Sequence, residues 1–267
     1  MSVSHALFAR RLSRASVAGV ALLACAPYPR DSLPLLEEPG RAAVATTNGR
    51  NASMLYVARV DPGVIVIDLG WRGAESALRG ALRRLGASER DVVAVFLTHS
   101  HRDHIGAWRA VSRAPFYVAA PEVDLLLGAA EHRGWVPRLA DRMRRARGPR
   151  AGELELRPFA DDTSFVFGRD TVRAFVVPGH TAGSAAYLVR GVLFAGDAVS
   201  HTSAGRLRLA KARFSDDADL ARRSLGRLLA GLAAYDVRVV CTAHARCARF
   251  DTALRERLST SDRGRTP

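Results

Sequence analysis

Three histidines and one aspartate fall within six residues, in the segment His99-Ser100-His101-Arg102-Asp103-His104. Side chains two residues apart on an extended backbone point to the same side, so His99 and His101 can bind one cation. Asp103 and His104 lie beyond the bend that follows and can reach a second cation. Zinc, iron and manganese all accept imidazole and carboxylate ligands. The segment therefore indicates a metal site, because clustered imidazolium groups without a ligand would repel one another.

Three further candidate ligands each follow a short apolar run later in the chain: His180, Asp197 and His244. Apolar runs of this length are typical of buried strands, so the three side chains are expected at strand ends. Strands that end at one edge of a sheet can direct their side chains to a common point. Seven candidate ligands exceed what one four- or five-coordinate zinc can bind, and the sequence therefore predicts two cations.

This arrangement resembles the metallo-β-lactamase superfamily, whose signature H-x-H-x-D-H stands at the end of a core strand. Residues 99–104 carry the signature, and His180, Asp197 and His244 follow in the order found in the family. Asp68, at the end of another apolar run, matches the acidic residue that the family places behind its metal ligands. The resemblance implies an α/β protein with the four-layer αββα sandwich of the metallo-β-lactamase fold.

By the same resemblance, the ligands divide into two groups that share one carboxylate. The first cation would be bound by His99, His101 and His180, the second by Asp103, His104 and His244, and both by Asp197. The implied cofactors are two divalent metal ions, with Zn²⁺ expected and Fe or Mn as alternatives. A hydroxide between the cations would attack a carbonyl carbon, and we assign Asp103 a catalytic role besides metal binding.

Three functions are compatible with these residues. The leading hypothesis is a dinuclear metal-dependent hydrolase that cleaves an ester, thioester, lactone or related carbonyl bond in a small-molecule substrate. A β-lactam substrate is less favoured, because β-lactamases of this fold usually carry Cys or Ser where Asp197 stands. The second is an oxidoreductase similar to persulfide dioxygenases, with one Fe(II) bound by His99, His180 and Asp197. The third is a metal-binding lipoprotein without catalytic activity.

Apolar periodicity predicts where the strands and helices lie. Strand patterns occur at residues 53–60, 64–69, 92–97, 116–119, 154–156, 164–167, 171–177, 185–189, 192–195 and 237–241. Helical spacing occurs at 74–85, 105–111, 121–147 with a break near Pro137, 217–234 and 249–258. We therefore expect one folded domain at residues 42–258 and a frayed tail at 259–267. Because the chain ends soon after His244, we expect no glutathione-binding C-terminal domain of the glyoxalase II kind.

The N-terminal segment is predicted to direct export. A stretch with three arginines precedes an apolar run, residues 15–24, that is too short to span a bilayer. Its end, Leu22-Leu23-Ala24-Cys25, resembles the lipobox of bacterial lipoproteins, in which the cysteine becomes the N-terminus and carries lipid. We predict a signal peptide at 1–24, a proline-rich tether at 25–41, and membrane attachment at the cell envelope through lipidated Cys25. An ordinary cleaved signal peptide is the alternative.

The formal net charge of +14 does not by itself indicate a nucleic-acid surface. Lys211 is the only lysine, and the arginines are spread along the chain. A nucleic acid is therefore not an expected partner. One denser run of arginines, residues 138–150, could bind an anionic substrate or lipid headgroups, or could be a solvated helix face.

Two cysteines flank the last candidate ligand, and three histidines are not assigned as ligands: His5 in the targeting segment, His132, and His201, which is near enough to Asp197 to line the pocket. Cys241 and Cys247 could form a disulfide in an oxidising envelope, but we expect a buried free Cys241 and a free Cys247 in a loop. A further possibility is that Cys247 is an extra metal ligand. His132, in the arginine-rich helical region, is expected to be a structural residue.

Overall fold

A computed structural model describes residues 40–48, 51–144, 148–201, 207–210, 212–244 and 247–260. The strands in this part of the chain are β1 (Arg41–Asn48), β2 (Asn51–Arg59), β3 (Val64–Ile67), β4 (Val92–Phe96), β5 (Phe116–Ala119), β6 (Leu156–Phe159), β7 (Thr163–Phe167), β8 (Asp170–Val176), β9 (Ala185–Val189), β10 (Val192–Phe194), β11 (Val199–His201), β12 (Leu207–Leu209), β13 (Val239–Cys241) and β14 (Ala248–Arg249). The helices are α1 (Glu75–Arg84), α2 (Val123–Leu127), α3 (Trp135–Arg144), α4 (Ala218–Gly231) and α5 (Thr252–Thr260).

The strands form two six-stranded sheets and one small hairpin. The order in the first sheet is β1-β2-β3-β4-β5-β6, antiparallel from β1 to β3 and parallel from β3 to β6. The order in the second sheet is β14-β13-β10-β9-β8-β7, where only β10 and β13 are parallel neighbours. The hairpin of β11 and β12 lies outside both sheets.

Three apolar cores show that the sheets and helices stack in four layers. Val66 of β3 belongs to a core with Leu82 of α1, on the outer face of the first sheet. The next residue, Ile67, belongs to the core between the sheets, together with Tyr187 of β9. On the outer face of the second sheet, Leu188 belongs to a third core with Leu229 of α4. The fold is thus the predicted α/β four-layer αββα sandwich.

β1 was not predicted, because Arg41–Asn48 combines small, polar and basic residues with little apolar alternation. Its main chain nevertheless pairs with β2 along its whole length, from Arg41 opposite Ala58 to Asn48 opposite Asn51. The unpaired edge of β2 supplies the hydrogen-bonding partner, so this strand depends on its neighbour more than on its own composition.

The helix expected at 105–111 is only a 3₁₀ turn, Trp108–Val111. The N–H of Gly106 donates to the Gly70 carbonyl at 2.8 Å, and that of Ala107 donates to the Leu69 carbonyl at 3.1 Å. The following hydrogen bonds run from residue i to residue i−3, from the Trp108 N–H to the Ile105 carbonyl at 3.3 Å and from the Ala110 N–H to the Ala107 carbonyl at 3.0 Å, which is the 3₁₀ pattern. A Cβ atom at Gly106 would collide with the backbone of Trp71, so glycine is required for this close approach.

The helical region expected at 121–147 is two helices, α2 and α3. The interruption falls between Leu127 and Trp135, because Gly128 ends α2 in the left-handed conformation, with φ of +73°. Pro137 lies instead in the first turn of α3, where its missing N–H costs little. The side chains of residues 140–147, and with them most of the arginine run, lie outside the described part of the chain.

The predicted domain boundaries remain predictions, since residues 1–39 and 261–267 lie outside the described residues. At the C-terminal end, α5 continues to Thr260, slightly beyond the predicted start of the tail. Across the described ranges, none of the helices combines the length and the apolar character needed to cross a bilayer.

Candidate metal centre

The candidate ligands lie in loops that follow the carboxyl ends of β4, β8, β10 and β13. Backbone hydrogen bonds between the two sheets hold these loops at one edge. The Ala185 N–H donates to the Thr98 carbonyl at 2.8 Å, and the Met54 N–H donates to the Ala243 carbonyl at 2.8 Å. All seven predicted ligands come together at this edge. Their role as metal ligands stays a prediction.

His99, His101 and His180 form the first group. The Nε2 of His99 lies 3.0 Å from the Nδ1 of His101, and the Nε2 of His180 lies 3.2 Å from both of these atoms. Imidazole nitrogens bound to one zinc lie about 2.0–2.1 Å from it, which places neighbouring nitrogens about this far apart. The three rings therefore fit a common cation.

Asp103, His104 and His244 form the second group. The Oδ2 of Asp103 lies 3.3 Å from the Nε2 of His244 and 3.9 Å from the Nε2 of His104. The Nε2 of His104 is buried, and it has no hydrogen-bond partner among the described residues. A buried polar atom without a partner is costly in a folded protein, so this nitrogen fits a metal ligand.

Asp197 lies between the two groups, and its role as a shared ligand stays a prediction. Its Oδ2 is 3.5 Å from the Nε2 of His180 in the first group and 3.2 Å from the Nε2 of His244 in the second. Its Oδ1 is 4.0 Å from the Nε2 of His104. One carboxylate thus faces ligands of both groups, and its negative charge would reduce the repulsion between two nearby cations.

Four of the five histidines have their other ring nitrogen next to a polar group, which orients the ring. The pairs are His99 with the Thr98 hydroxyl, His104 with the Asp68 carboxylate, His180 with the Ser215 hydroxyl, and His244 with the Ala52 carbonyl. The Oδ2 of Asp68 lies 2.8 Å from the Nδ1 of His104. Asp68 also accepts hydrogen bonds from the Thr98 N–H at 2.8 Å and from its hydroxyl at 2.7 Å. Such partners fix the tautomer that can bind a metal.

Burial controls protonation in the first group. Desolvation, together with repulsion from neighbouring imidazoles, lowers the pKa of His99 and of His101 well below the usual range. Desolvation also lowers the pKa of His180, although the Asp197 carboxylate opposes this effect. Since metal binds the neutral imidazole, the first group is in its binding form at neutral pH.

In the second group, nearby carboxylates raise the pKa values of the histidines more than burial lowers them. Burial lowers the pKa of His104, but Asp68 and Asp103 raise it more, to about 9. Burial also opposes protonation of His244, yet Asp197 and Asp103 raise its pKa well above the usual range. A cation must therefore displace protons to enter the second group at neutral pH.

A buried acid that the sequence analysis did not assign joins two ligand loops. Glu122 is fully buried at the start of α2, and its carboxylate accepts hydrogen bonds from the Ser100 N–H at 2.7 Å and the Gly183 N–H at 2.8 Å. An acid three residues after the end of an apolar strand was the available signal in the sequence. Glutamate is common at helix starts, however, so that signal alone does not reveal the contact.

His132 was expected to be a structural residue with no part in the site, whereas the structure places it against a predicted ligand. Its buried ring lies with its centroid 4.5 Å from that of His101. Its Nδ1 is 3.2 Å from the Oδ2 of Asp216, whose own N–H donates to the His180 carbonyl at 3.0 Å. His132 thus packs against one histidine of the first group, and Asp216 binds the backbone of another. No regular spacing in the sequence relates them to the signature.

The prediction of a free Cys241 and a free Cys247 is wrong, because the two cysteines form a disulfide. β13 and β14 are antiparallel neighbours with Val240 opposite Ala248, so the next pair along, Cys241 and Cys247, lie opposite each other. The bridge closes the loop that carries His244. Cys247 is therefore not available as an extra metal ligand.

Proteins of similar sequence include hydrolases. The hydroxyacylglutathione hydrolase of Gloeobacter violaceus is 34% identical over 150 residues, which are 55% of this chain and 47% of that protein. A probable metallo-hydrolase of Mycobacterium bovis is 35% identical over 173 residues, which are 56% of this chain and 53% of that protein. The chain spans about half the length of the curated relatives it matches.

Solved structures with the same fold support the four-layer architecture. The B3 metallo-β-lactamase BLEG-1 matches with a TM-score of 0.59 and 24% identity, covering 78% of this chain and 94% of that one. A quorum-quenching N-acyl homoserine lactone lactonase matches with a TM-score of 0.54 and 21% identity, covering 77% of this chain and 89% of that one. At such identities the likeness shows the fold alone.

The model of the metallo-β-lactamase superfamily matches residues 48–244. This range is well over half of the chain, and it contains the signature at 99–104 together with His180, Asp197 and His244. The matched range therefore includes all seven predicted ligands and the strands whose ends carry them. The chain therefore belongs to the metallo-β-lactamase superfamily.

Proposed function

We propose that this protein is a hydrolase that binds two divalent cations, with Zn²⁺ expected, and cleaves an ester, thioester, lactone or related carbonyl bond in a small molecule. The observation that carries the proposal is the position of Asp197, within 3.5 Å of His180 in one ligand group and 3.2 Å of His244 in the other. The name of a protein of similar sequence, a hydroxyacylglutathione hydrolase, favours acyl compounds as the substrate class.

Bound cations would supply Lewis-acid chemistry, polarising a carbonyl group and making water a better nucleophile. The protein itself orients the ligand rings and places negative charge beside them. Burial raises the pKa of Asp103, but His104 and His244 lower it more, so this carboxylate is ionised at neutral pH. Asp103 can therefore accept a hydrogen bond from the attacking water, which is the catalytic role we propose for it.

The second ligand group favours this hydrolase over a mononuclear iron oxidoreductase. An iron site of His99, His180 and Asp197 would have no need for Asp103, His104 and His244 to converge beside it. Those three side chains do converge, and His104 is also held in a defined tautomer by Asp68. Such an arrangement fits a second cation that takes part in the reaction.

The test is to remove metal with a chelator, reload the protein with Zn²⁺, Mn²⁺ or Fe²⁺, and measure metal per chain and hydrolysis of esters, thioesters, lactones and β-lactams. We expect two ions per chain and turnover of an acyl substrate that is lost in the Asp197→Asn variant. The matched control is Asp219→Asn, at an exposed surface position, which should leave both quantities unchanged.

Several outcomes would contradict the proposal. One iron per chain, with oxygen consumption in the presence of a glutathione persulfide, would establish the oxidoreductase alternative. Hydrolysis of β-lactams alone would correct the substrate class. Two bound ions without turnover of any substrate tested would favour a metal-binding protein without catalysis.

We further propose that the protein is a lipoprotein of the cell envelope, attached to a membrane through Cys25. The proposal rests on the sequence Leu22-Leu23-Ala24-Cys25 at the end of a short apolar run. The test is to fractionate cells that express the wild type or the Cys25→Ala variant and to label them with a radioactive fatty acid. Label and membrane association should both depend on Cys25. Equal distribution of the two proteins would refute the lipid anchor.

A further inference from the structure

Glu122 connects two loops that come from different sheets. Ser100, whose N–H it binds at 2.7 Å, lies between His99 and His101 in the loop after β4 of the first sheet. Gly183, whose N–H it binds at 2.8 Å, belongs to the loop after β8 of the second sheet, which carries His180. The two hydrogen bonds therefore span the junction at which the first ligand group is assembled.

The loops also approach Glu122 too closely for larger residues. A Cβ atom at Gly183 would lie 2.9 Å from the Cγ of Glu122 and 2.9 Å from its backbone nitrogen. Real Cβ atoms essentially never come this close to backbone atoms, so any side chain at this position would move the loop. The distance between the His180 loop and Glu122 is thus set by a hydrogen bond and by van der Waals contact.

A carboxylate is suited to this position because both of its oxygens accept and neither donates. Oε2 receives one N–H and Oε1 receives the other, so each oxygen holds a different loop. Glutamine has the same shape, but its NH₂ group would face one of the two N–H donors. That donor would then be buried without an acceptor, and one of the two loops would be released.

We propose that Glu122 is a positioning residue that sets the spacing of the three histidine nitrogens in the first ligand group. These nitrogens are only 3.0–3.2 Å apart, and a cation bound by all three requires that spacing to be kept. Glu122 acts through the backbones of the two loops and does not itself bind the metal. This inference rests on the proposed metal binding.

The second ligand group is held by other contacts, so the effect of Glu122 should be confined to the first. The hydroxyl of Ser53 donates to the Asp103 carbonyl at 2.6 Å, and Asp68 holds the ring of His104. A loss of Zn²⁺ affinity at the first group alone would therefore indicate a positioning role, whereas a general contribution to folding would weaken both groups.

The test measures Zn²⁺ affinity by chelator competition in two backgrounds. His244→Ala removes a ligand of the second group and isolates the first, whereas His101→Ala isolates the second. Glu122→Gln should weaken Zn²⁺ binding by about 10- to 100-fold in the His244→Ala background, the usual range for residues that orient ligands. Binding should be unchanged in the His101→Ala background. Glu155→Gln, at an exposed position, is the matched control.

Gly183→Ala tests the same contact from the other loop and should produce the same selective loss. The absorption spectrum of the Co²⁺-loaded first site should also change in both variants, since it reports ligand geometry. Equal weakening in the two backgrounds, unchanged affinity in both, or failure of both variants to fold without metal would overturn the positioning role. A wild type that binds only one ion would instead refute the proposed dinuclear site.

Discussion

Raising the pH from about 7 to about 9 should strengthen metal binding at the second ligand group far more than at the first. His104 is buried against Asp68 and Asp103, which raise its pKa to about 9. At neutral pH it therefore carries a proton on the nitrogen that would bind the metal. The pKa values of His99 and His101 are lowered instead, so the first group has no such proton to release.

The size of the effect follows from competition between proton and metal. Well below the pKa, each pH unit weakens binding about tenfold, and at pH 9 half of His104 is still protonated, so His104 alone makes Zn²⁺ binding roughly 50-fold weaker at pH 7 than at pH 9, or about 2.3 kcal/mol. The raised pKa of His244 adds to this dependence. In metal-free protein a rise in pH lowers the stability of the fold. The raised pKa of His104 stabilises the folded state fully below its unfolded pKa near 6.5, and this contribution is lost as the pH rises through about 9.

Chelator competition at several pH values in the His101→Ala and His244→Ala variants measures the two groups separately. Calorimetry in buffers of different ionisation enthalpy counts the protons that are released. We expect at least one proton from the second group at neutral pH and close to none from the first. An affinity of the second group that stayed flat between about pH 7 and 9, or a parallel increase in the affinity of both groups, would refute this pH dependence.

Three substitutions test other contacts at the site. Asp197→Asn keeps the side-chain shape but removes the charge shared by both groups, so turnover should fall by about 100-fold or more and metal content should drop in elemental analysis. Asp68→Asn tolerates the backbone φ of +55° but loses the charged acceptor of His104, and second-site affinity should fall by about 10- to 100-fold in competition titrations, more than first-site affinity, which Asp68 affects only through Thr98. Cys247→Ser opens the loop around His244, which should cost roughly 2 kcal/mol and lower the melting temperature by about 4–8 °C in calorimetry, whereas an unchanged temperature would exclude a stabilising bridge.

The ligand set could be predicted from the sequence because its signals are local. His99, His101, Asp103 and His104 lie within six residues, and a cluster of imidazole and carboxylate groups has few uses other than metal binding. The remaining ligands follow apolar runs, and buried strands are recognisable from such runs alone. The alternation along β3, with neighbouring residues in different cores, likewise follows from the strand period.

Apart from Asp68, which the sequence indicated, only the tertiary structure decided which residues support the ligands. Glu122, His132 and Asp216 are ordinary residue types, and their roles arise from partners 22 to 84 positions away in the chain. The disulfide between Cys241 and Cys247 depends on the register of β13 and β14, which the spacing of two cysteines does not specify. β1 forms because β2 offers an unpaired edge. Whether a side chain can bind a metal depends on its own chemistry, which the sequence gives directly. Whether a residue holds a ligand in place depends on which residues it contacts, and those contacts form only when the two sheets pack together.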